Sequence, residues 1–243
     1  NRFQIRRLTR QDITDMRDGR EFSKPVLRAA EVFRYIPTPI HLQKAVRSMN
    51  VYQRYGAPSY LLGEARTRGH WAYYPLAWLI KTPIAVQILF VAGLLVAARQ
   101  RATVGLVLLF PAALYMLAAT QSELLLGVRL VLPAFPFVVL LGGFAIRQAL
   151  ETRRGQVAVV VLLGWLAGAS AFIYPHGISY FNEWVKGPSE GWKYMVDSNV
   201  DWGQNLPELA EYIRQNRIEK VKLYYFGFDK LHRYGLEKKV EMQ

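Results

Sequence analysis

The chain has 243 residues, with 31 Lys+Arg against 18 Asp+Glu, no cysteine, 52% hydrophobic and 13% aromatic residues. That composition excludes a disordered chain and a disulfide scaffold, and the lack of thiolates excludes cysteine-ligated zinc. Charge is unevenly spread: residues 1–70 carry 14 basic and 6 acidic side chains, residues 71–174 carry 7 and 2, and residues 175–243 carry 10 and 10.

Asn1 opens the chain, and no basic start followed by an apolar stretch marks a secretory leader, so the sequence reads as a fragment. Residues 2–20 are polar and charged and predict a loop or a loosely held helix. Over residues 26–35, Val26, Leu27, Ala30, Val32 and Phe33 alternate with Arg28 and Arg34, the pattern of a helix lying on a membrane surface. Pro37 and Pro39 end it, and residues 40–51 predict a second short helix. Such a basic amphipathic region either attracts anionic headgroups or packs on the parent protein with its arginines in water.

Four later stretches, residues 82–98, 102–122, 130–146 and 155–174, contain no charged residue and are 17 to 21 residues long. At about 1.5 Å per residue each crosses, or nearly crosses, a hydrocarbon core about 30 Å thick. Lys81, Arg129 and Arg147 lengthen the two shorter stretches by extending their charged ends toward the headgroups. One such run also fits a soluble helical core, but four in close succession predict four membrane helices.

Arg99 and Arg101 lie between the first and second spans, and Arg147, Arg153 and Arg154 between the third and fourth. The connector holding Glu123 and Arg129 is less basic, which predicts cytoplasmic Arg-rich connectors and both flanks on the opposite side. The basic first 70 residues oppose this orientation, but long segments obey the positive-inside rule weakly.

Beyond the last span, Tyr180, Phe181, Trp184, Trp192, Tyr194 and Trp202 form a dense aromatic stretch. It reads as an interfacial belt or a small core, or, more sharply, as rings that stack on a sugar. Asn205 then offers an N-cap and Pro207 an early helical position, with Leu206, Leu209, Ala210 and Ile213 on one face of a helix running to about Gln215. Residues 221–226 predict a strand, so a small α/β unit outside the membrane is expected, with the strand's partners missing from this chain. The fold class is thus a mainly α polytopic membrane protein with an incomplete α/β piece at its C-terminus.

The chemistry is sparse. Neither a dinucleotide nor a P-loop glycine spacing occurs, and His41, His70, His176 and His232 stand apart without an HExxH pair. Asp197, Asn199, Asp201 and Glu208 occupy positions 1, 3, 5 and 12 of a calcium-loop register. Trp202 takes the place of the required glycine, which comes one residue late at Gly203, so these residues read as a polar turn whose side chains bond backbone. Lys81, Glu123 and Arg129 flank the spans. A cation at that depth needs a partner, either a lipid phosphate or, in the plainer reading, another anchor, as Glu123 would be for Arg129.

Three strings carry a resemblance. Residues 60–83, YLLGEARTRGHWAYYPLAWLIKTP, residues 123–143, with Arg129, Leu132, Pro133 and Pro136, and residues 174–206, YPHGISYFNEWVKGPSEGWKYMVDSNVDWGQNL, occur in this order. Together they resemble the bacterial members of family 39, the dolichyl-phosphate-mannose-protein mannosyltransferase-like GT-C glycosyltransferases, over roughly residues 36–235. The DSNxDWGQ string is the most specific; Lys186 departs from a glycine that relatives tend to have.

The resemblance implies a GT-C-like multi-pass enzyme of the bacterial inner (cytoplasmic) membrane, with both flanks on the periplasmic side. It would transfer a sugar from a polyprenyl-phosphate donor to an acceptor at the outer face. It further implies that Lys81 and Arg129 hold the donor phosphate, with Glu64, His70 and Glu123 as donor or acceptor contacts, while Tyr60, Asn182 and Asp201 are open to a structural reading. The family's catalytic acidic external loop has no match here, so no catalytic residue is assigned within this chain. No metal, cofactor or nucleic acid is called for; the expected partners are membrane lipid, the lipid-linked donor and a larger membrane complex. The alternative is a non-catalytic accessory or structural subunit derived from the same family. A transporter is weaker, because no span carries an ionisable residue at mid-membrane.

Overall fold

The computed structural model describes residues 59–66, 69–100, 103–123, 125–223, 229–237 and 239–242, with Ile5, Arg6, Thr38, Pro39, Leu42 and Ala45 as isolated positions. Strand β1 (Ile5–Arg6) pairs antiparallel with β2 (Thr38–Pro39). The surface helices expected over residues 26–35 and 40–51 lie outside the described residues, apart from Leu42 and Ala45, which are helical. Strands β3 (Ser59–Leu61) and β4 (Glu64–Arg66) form a hairpin closed by Leu62 and Gly63, both at positive φ, as a tight two-residue turn demands.

Helix α1 (Tyr73–Lys81) and α2 (Ile84–Arg99) meet at a bend of 110°. Pro83 causes it, since it has no N–H to continue α1 and drives Thr82 into extended backbone, φ −95° and ψ 132°. Helix α3 (Thr103–Thr120) follows, then a 3-10 turn (Val128–Ala134) that runs into α4 (Phe135–Ala149), and then α5 (Arg153–Ile173), whose first turn is capped by the Thr152 hydroxyl accepting from the Gly155 N–H.

Three segments are long and apolar enough to cross a membrane: α3 with 18 residues, Val128–Ala149 with 22 and α5 with 21. The α1–α2 pair qualifies only as one bent unit. Of the four expected spans the first is therefore the short one, because Thr82 and Pro83 belong to the elbow and leave a 16-residue helix, about 24 Å at 1.5 Å per residue. The buried share of the apolar window is 17% in α3 and 6% in α5, so leucines, valines and Phe110 cover the outside of the bundle. Such a surface suits contact with hydrocarbon.

The Gln100 amide donates to the Gln148 side-chain oxygen (2.6 Å), which places the C-terminal ends of α2 and α4 together. Their contact is backbone-close, and a Cβ added at Gly93 would lie 1.9 Å from the Leu141 carbonyl oxygen. At the other end of the bundle the first flank meets the last. The Leu62 N–H donates to the Tyr194 carbonyl (2.9 Å), and Leu61, Tyr74, Ala77 and Ile80 share a core with Leu125, Val131, Phe181 and Met195.

Helix α6 (Pro188–Gly191) is a single turn, and α7 (Leu206–Gln215) begins at Asn205 with Pro207 in its first turn, as expected. The Asn205 side chain makes no cap, however; its Oδ1 is buried without a partner among the described residues. Strand β5 (Val221–Leu223) was expected to lack a partner. It has one, β6 (Val240–Met242), which runs parallel to it with Val221 opposite Val240. Three residues, Val-Glu-Met, are too few for a readable alternation. Residues 224–226 of the expected strand lie outside the described residues. A second core of Leu206, Ile213 and Leu236 holds this unit together.

Gly93→Val tests the α2–α4 contact. Overpacking it is expected to cost about 1–3 kcal/mol and to lower the thermal midpoint of the detergent-solubilised protein; an unchanged midpoint would mean that the two helices do not approach this closely.

Candidate functional site

At the end of the bundle where the flanks meet, Lys81 is the last residue of α1 and is 9% exposed. Its ammonium donates to the carbonyls of Ile178 (2.7 Å) and Asn199 (2.5 Å) and lies 4.2 Å from the centroid of the Phe181 ring. Arg129 stands in the 3-10 turn ahead of α4, is exposed, and lays its guanidinium 4.2 Å over the Trp202 ring. Neither cation has a carboxylate within ion-pair distance among the described residues.

One buried side chain joins them. Asn199, 1% exposed, accepts from the Val128 N–H through Oδ1 (3.0 Å) and donates from Nδ2 to the Tyr73 hydroxyl (2.9 Å), while its backbone carbonyl takes the Lys81 ammonium. Asn199 thus ties Lys81 to the residue that precedes Arg129. Gly127 lets this happen: its φ is +78°, and a Cβ there would stand 2.8 Å from the Ser198 hydroxyl and 2.9 Å from Asn199 Oδ1.

Two more amides fix the elbow beneath Lys81. The helix end leaves carbonyls of α1 without intrahelical donors, and Asn182 Nδ2 donates to those of Leu79 (2.7 Å) and Thr82 (2.8 Å). Gln87 Nε2 donates to the same two carbonyls (2.6 and 2.8 Å), and the Trp184 indole N–H donates to Gln87 Oε1 (3.4 Å). Asn182 is therefore part of the scaffold. Asn199 and Gln87 were missed as tying residues. The visible signal was an uncharged amide, Gln87, inside an apolar stretch just after Pro83.

The remaining expected contacts divide. Glu123 Oε2 accepts from the Gly69 N–H (2.5 Å), which sets it beside His70, whose Nδ1 accepts from the Ala72 N–H (3.1 Å). The expected pairing of Glu123 with Arg129 does not form; Arg129 turns to Trp202 instead. Glu64 sits exposed on the β3–β4 hairpin in an ion pair with Arg66 (2.6 Å), and no described contact brings it to Lys81 or Arg129.

Within the Asp197–Glu208 stretch, Asn199 and Asp201 bond backbone as expected of a polar turn, whereas Glu208 lies in the first turn of α7. Asp201 Oδ1 accepts from the Gly203 N–H (2.8 Å), and among the described residues no cluster of three or more His, Asp or Glu side chains could hold a metal ion. The aromatic stretch serves two ends, with Phe181 and Trp202 beneath the two cations and Trp184 and Trp192 exposed. Tyr180 is half-buried; burial and then the nearby charge of Glu183 push its phenol up to about 12.

Comparison of the chain with protein-family models, curated proteins and solved structures gives no match.

Chemically the site offers a buried cation held by carbonyls and an exposed guanidinium on an aromatic plate, without a neutralising carboxylate among the described residues, an arrangement suited to an anion. Asn199→Ala would strand the Val128 amide, at about 1–3 kcal/mol for such a group, and leave the Tyr73 hydroxyl with the Leu125 carbonyl alone. It should lower the thermal midpoint well below that of Arg129→Ala, which removes an exposed side chain; equal midpoints for the two variants would contradict this network.

Proposed function

We propose that the chain is part of an integral-membrane glycosyltransferase that moves a sugar from a polyprenyl-phosphate donor to an acceptor at the outer face of the bacterial inner membrane. The observation that carries this reading is the joining of Lys81 and Arg129 through Asn199 at one end of an apolar helical bundle, with Arg99 and Arg147 near the other end. The three motif strings that resemble family 39 support it, since Lys81, Arg129 and Asn199 each fall within one of them. Arginines at the opposite end favour a cytoplasmic placement there, with both flanks on the outer side.

In such a reaction the acceptor oxygen bonds to the anomeric carbon while the bond to the phosphate oxygen breaks, and the departing phosphate gains negative charge. Arg129 is the group suited to meet it, because its guanidinium edge is open to two oxygens at once. Lys81 spends two of its donors on carbonyls and adds positive potential from beneath. A base for the acceptor hydroxyl would come from protein outside this chain. The buried, carbonyl-bound state of Lys81 also favours a second reading, a non-catalytic subunit of a larger membrane complex in which this cation is purely a tie.

The two readings separate in the complete protein. Arg129→Ala should slow transfer from a polyprenyl-phosphate sugar by about 100-fold or more, the scale of losing one group that stabilises developing charge, with the thermal midpoint kept. Transfer at the wild-type rate would reject the phosphate assignment, and absence of transfer in the wild-type complex would favour the accessory role.

A further inference from the structure

We propose that a groove between α5 and residues 180–189 binds an aminophospholipid, with the ammonium of a phosphoethanolamine headgroup on Glu183 and its phosphate on Lys186. The groove consists of two contiguous cavities of about 310 and 590 Å³ that share Phe172, Glu183, Gly187 and Pro188. Trp165, Gly168 and Phe172 of α5 form its apolar wall, continuous with the most exposed helix of the bundle.

Glu183 and Lys186 are exposed, and their position along α5 makes them informative. The Trp165 indole N–H donates to Glu183 Oε1 at 2.8 Å. Trp165 lies eight residues before the end of α5 at Ile173, which is about 12 Å along the helix axis. The chain after α5 therefore doubles back along the helix and carries a carboxylate down beside the apolar surface. A charge there is costly without a counter-charge. One Glu183 oxygen has the indole, and the other has no donor among the described residues.

Lys186, the left-handed residue that ends the 3-10 turn begun at Glu183, borders the wider cavity together with Glu183. The two do not pair with each other, nor does either form an ion pair with another described residue. Two unpaired opposite charges on one cavity, beside a lipid-suited wall, complement a ligand with a cation, an anion and a fatty chain. An ethanolamine ammonium supplies N–H donors for the open Glu183 oxygen. A choline headgroup has none, and a glycerol headgroup has no cation. The proposal depends on α5 lying in the bilayer and not on sugar transfer.

The test uses the full-length protein, delipidated in detergent and titrated with phosphatidylethanolamine, phosphatidylcholine, phosphatidylglycerol and polyprenyl phosphate, with bound lipid read by native mass spectrometry. Phosphatidylethanolamine should bind at least about tenfold tighter than the other three, the scale of one charge-assisted hydrogen bond. Glu183→Gln, which keeps an oxygen for Trp165, should erase that preference without changing phosphatidylglycerol binding, and Lys186→Gln should weaken both. Equal binding of all lipids, a preference for polyprenyl phosphate, or an ethanolamine preference that survives Glu183→Gln would overturn the proposal. No transfer reaction is read, so failure here leaves the glycosyltransferase reading untouched.

Discussion

Hydrocarbon offers a backbone amide or carbonyl no hydrogen bond, so a chain that enters it must satisfy each such group within a helix or with a side chain brought for the purpose. The central part of this protein follows that constraint closely. Helices α3 and α5 bury so little of their apolar surface against the rest of the chain that their outward leucines and valines suit contact with lipid. The contacts that do form between helices depend on small residues, as where Gly93 meets the Leu141 carbonyl. Where the ladder is interrupted, at the Thr82–Pro83 elbow, two side-chain amides, Asn182 and Gln87, arrive to take the carbonyls that α1 leaves open.

The elbow also explains why the cationic end has its shape. A straight α1–α2 helix would carry Lys81 along the bundle axis; the bend turns α1 across the end of the bundle, and the loops around Ile178 and Asn199 close over its ammonium. Asn199 then fixes the turn before Arg129, so the position of one cation depends on the other through a single buried amide. Phe181 and Trp202 give each cation an aromatic face, and no carboxylate among the described residues pairs with either, which keeps the positive potential available to a ligand.

Much of this was legible in the sequence and some was not, for physical reasons. Uninterrupted apolar runs are a local signal, so the four stretches could be read directly, and Pro83 was visible although its cost to the first helix was not counted. Lys81 and Arg129 were legible as charges bordering apolar runs. Their neighbours were not, because Trp202 lies far along the chain from Arg129 and no periodicity connects them. Asn199 could be assigned to a polar turn, but its ties to Tyr73 and Val128 belong to tertiary packing. Glu123 illustrates the limit of pairing by proximity in sequence, since a backbone N–H at Gly69 meets it and Arg129 does not. In the α/β unit, β6 was hidden by its brevity.

The most direct measurement of the central claim, that the bundle crosses a bilayer with its two ends on different sides, exploits the absence of cysteine from the chain. Single cysteines at Gln100, between α2 and α3, and at Lys193, in the segment that meets the first flank, are both on exposed positions. In intact bacterial cells a membrane-impermeant maleimide should modify Lys193→Cys and reach Gln100→Cys only after the membrane is permeabilised. Equal modification of the two before permeabilisation would contradict the account.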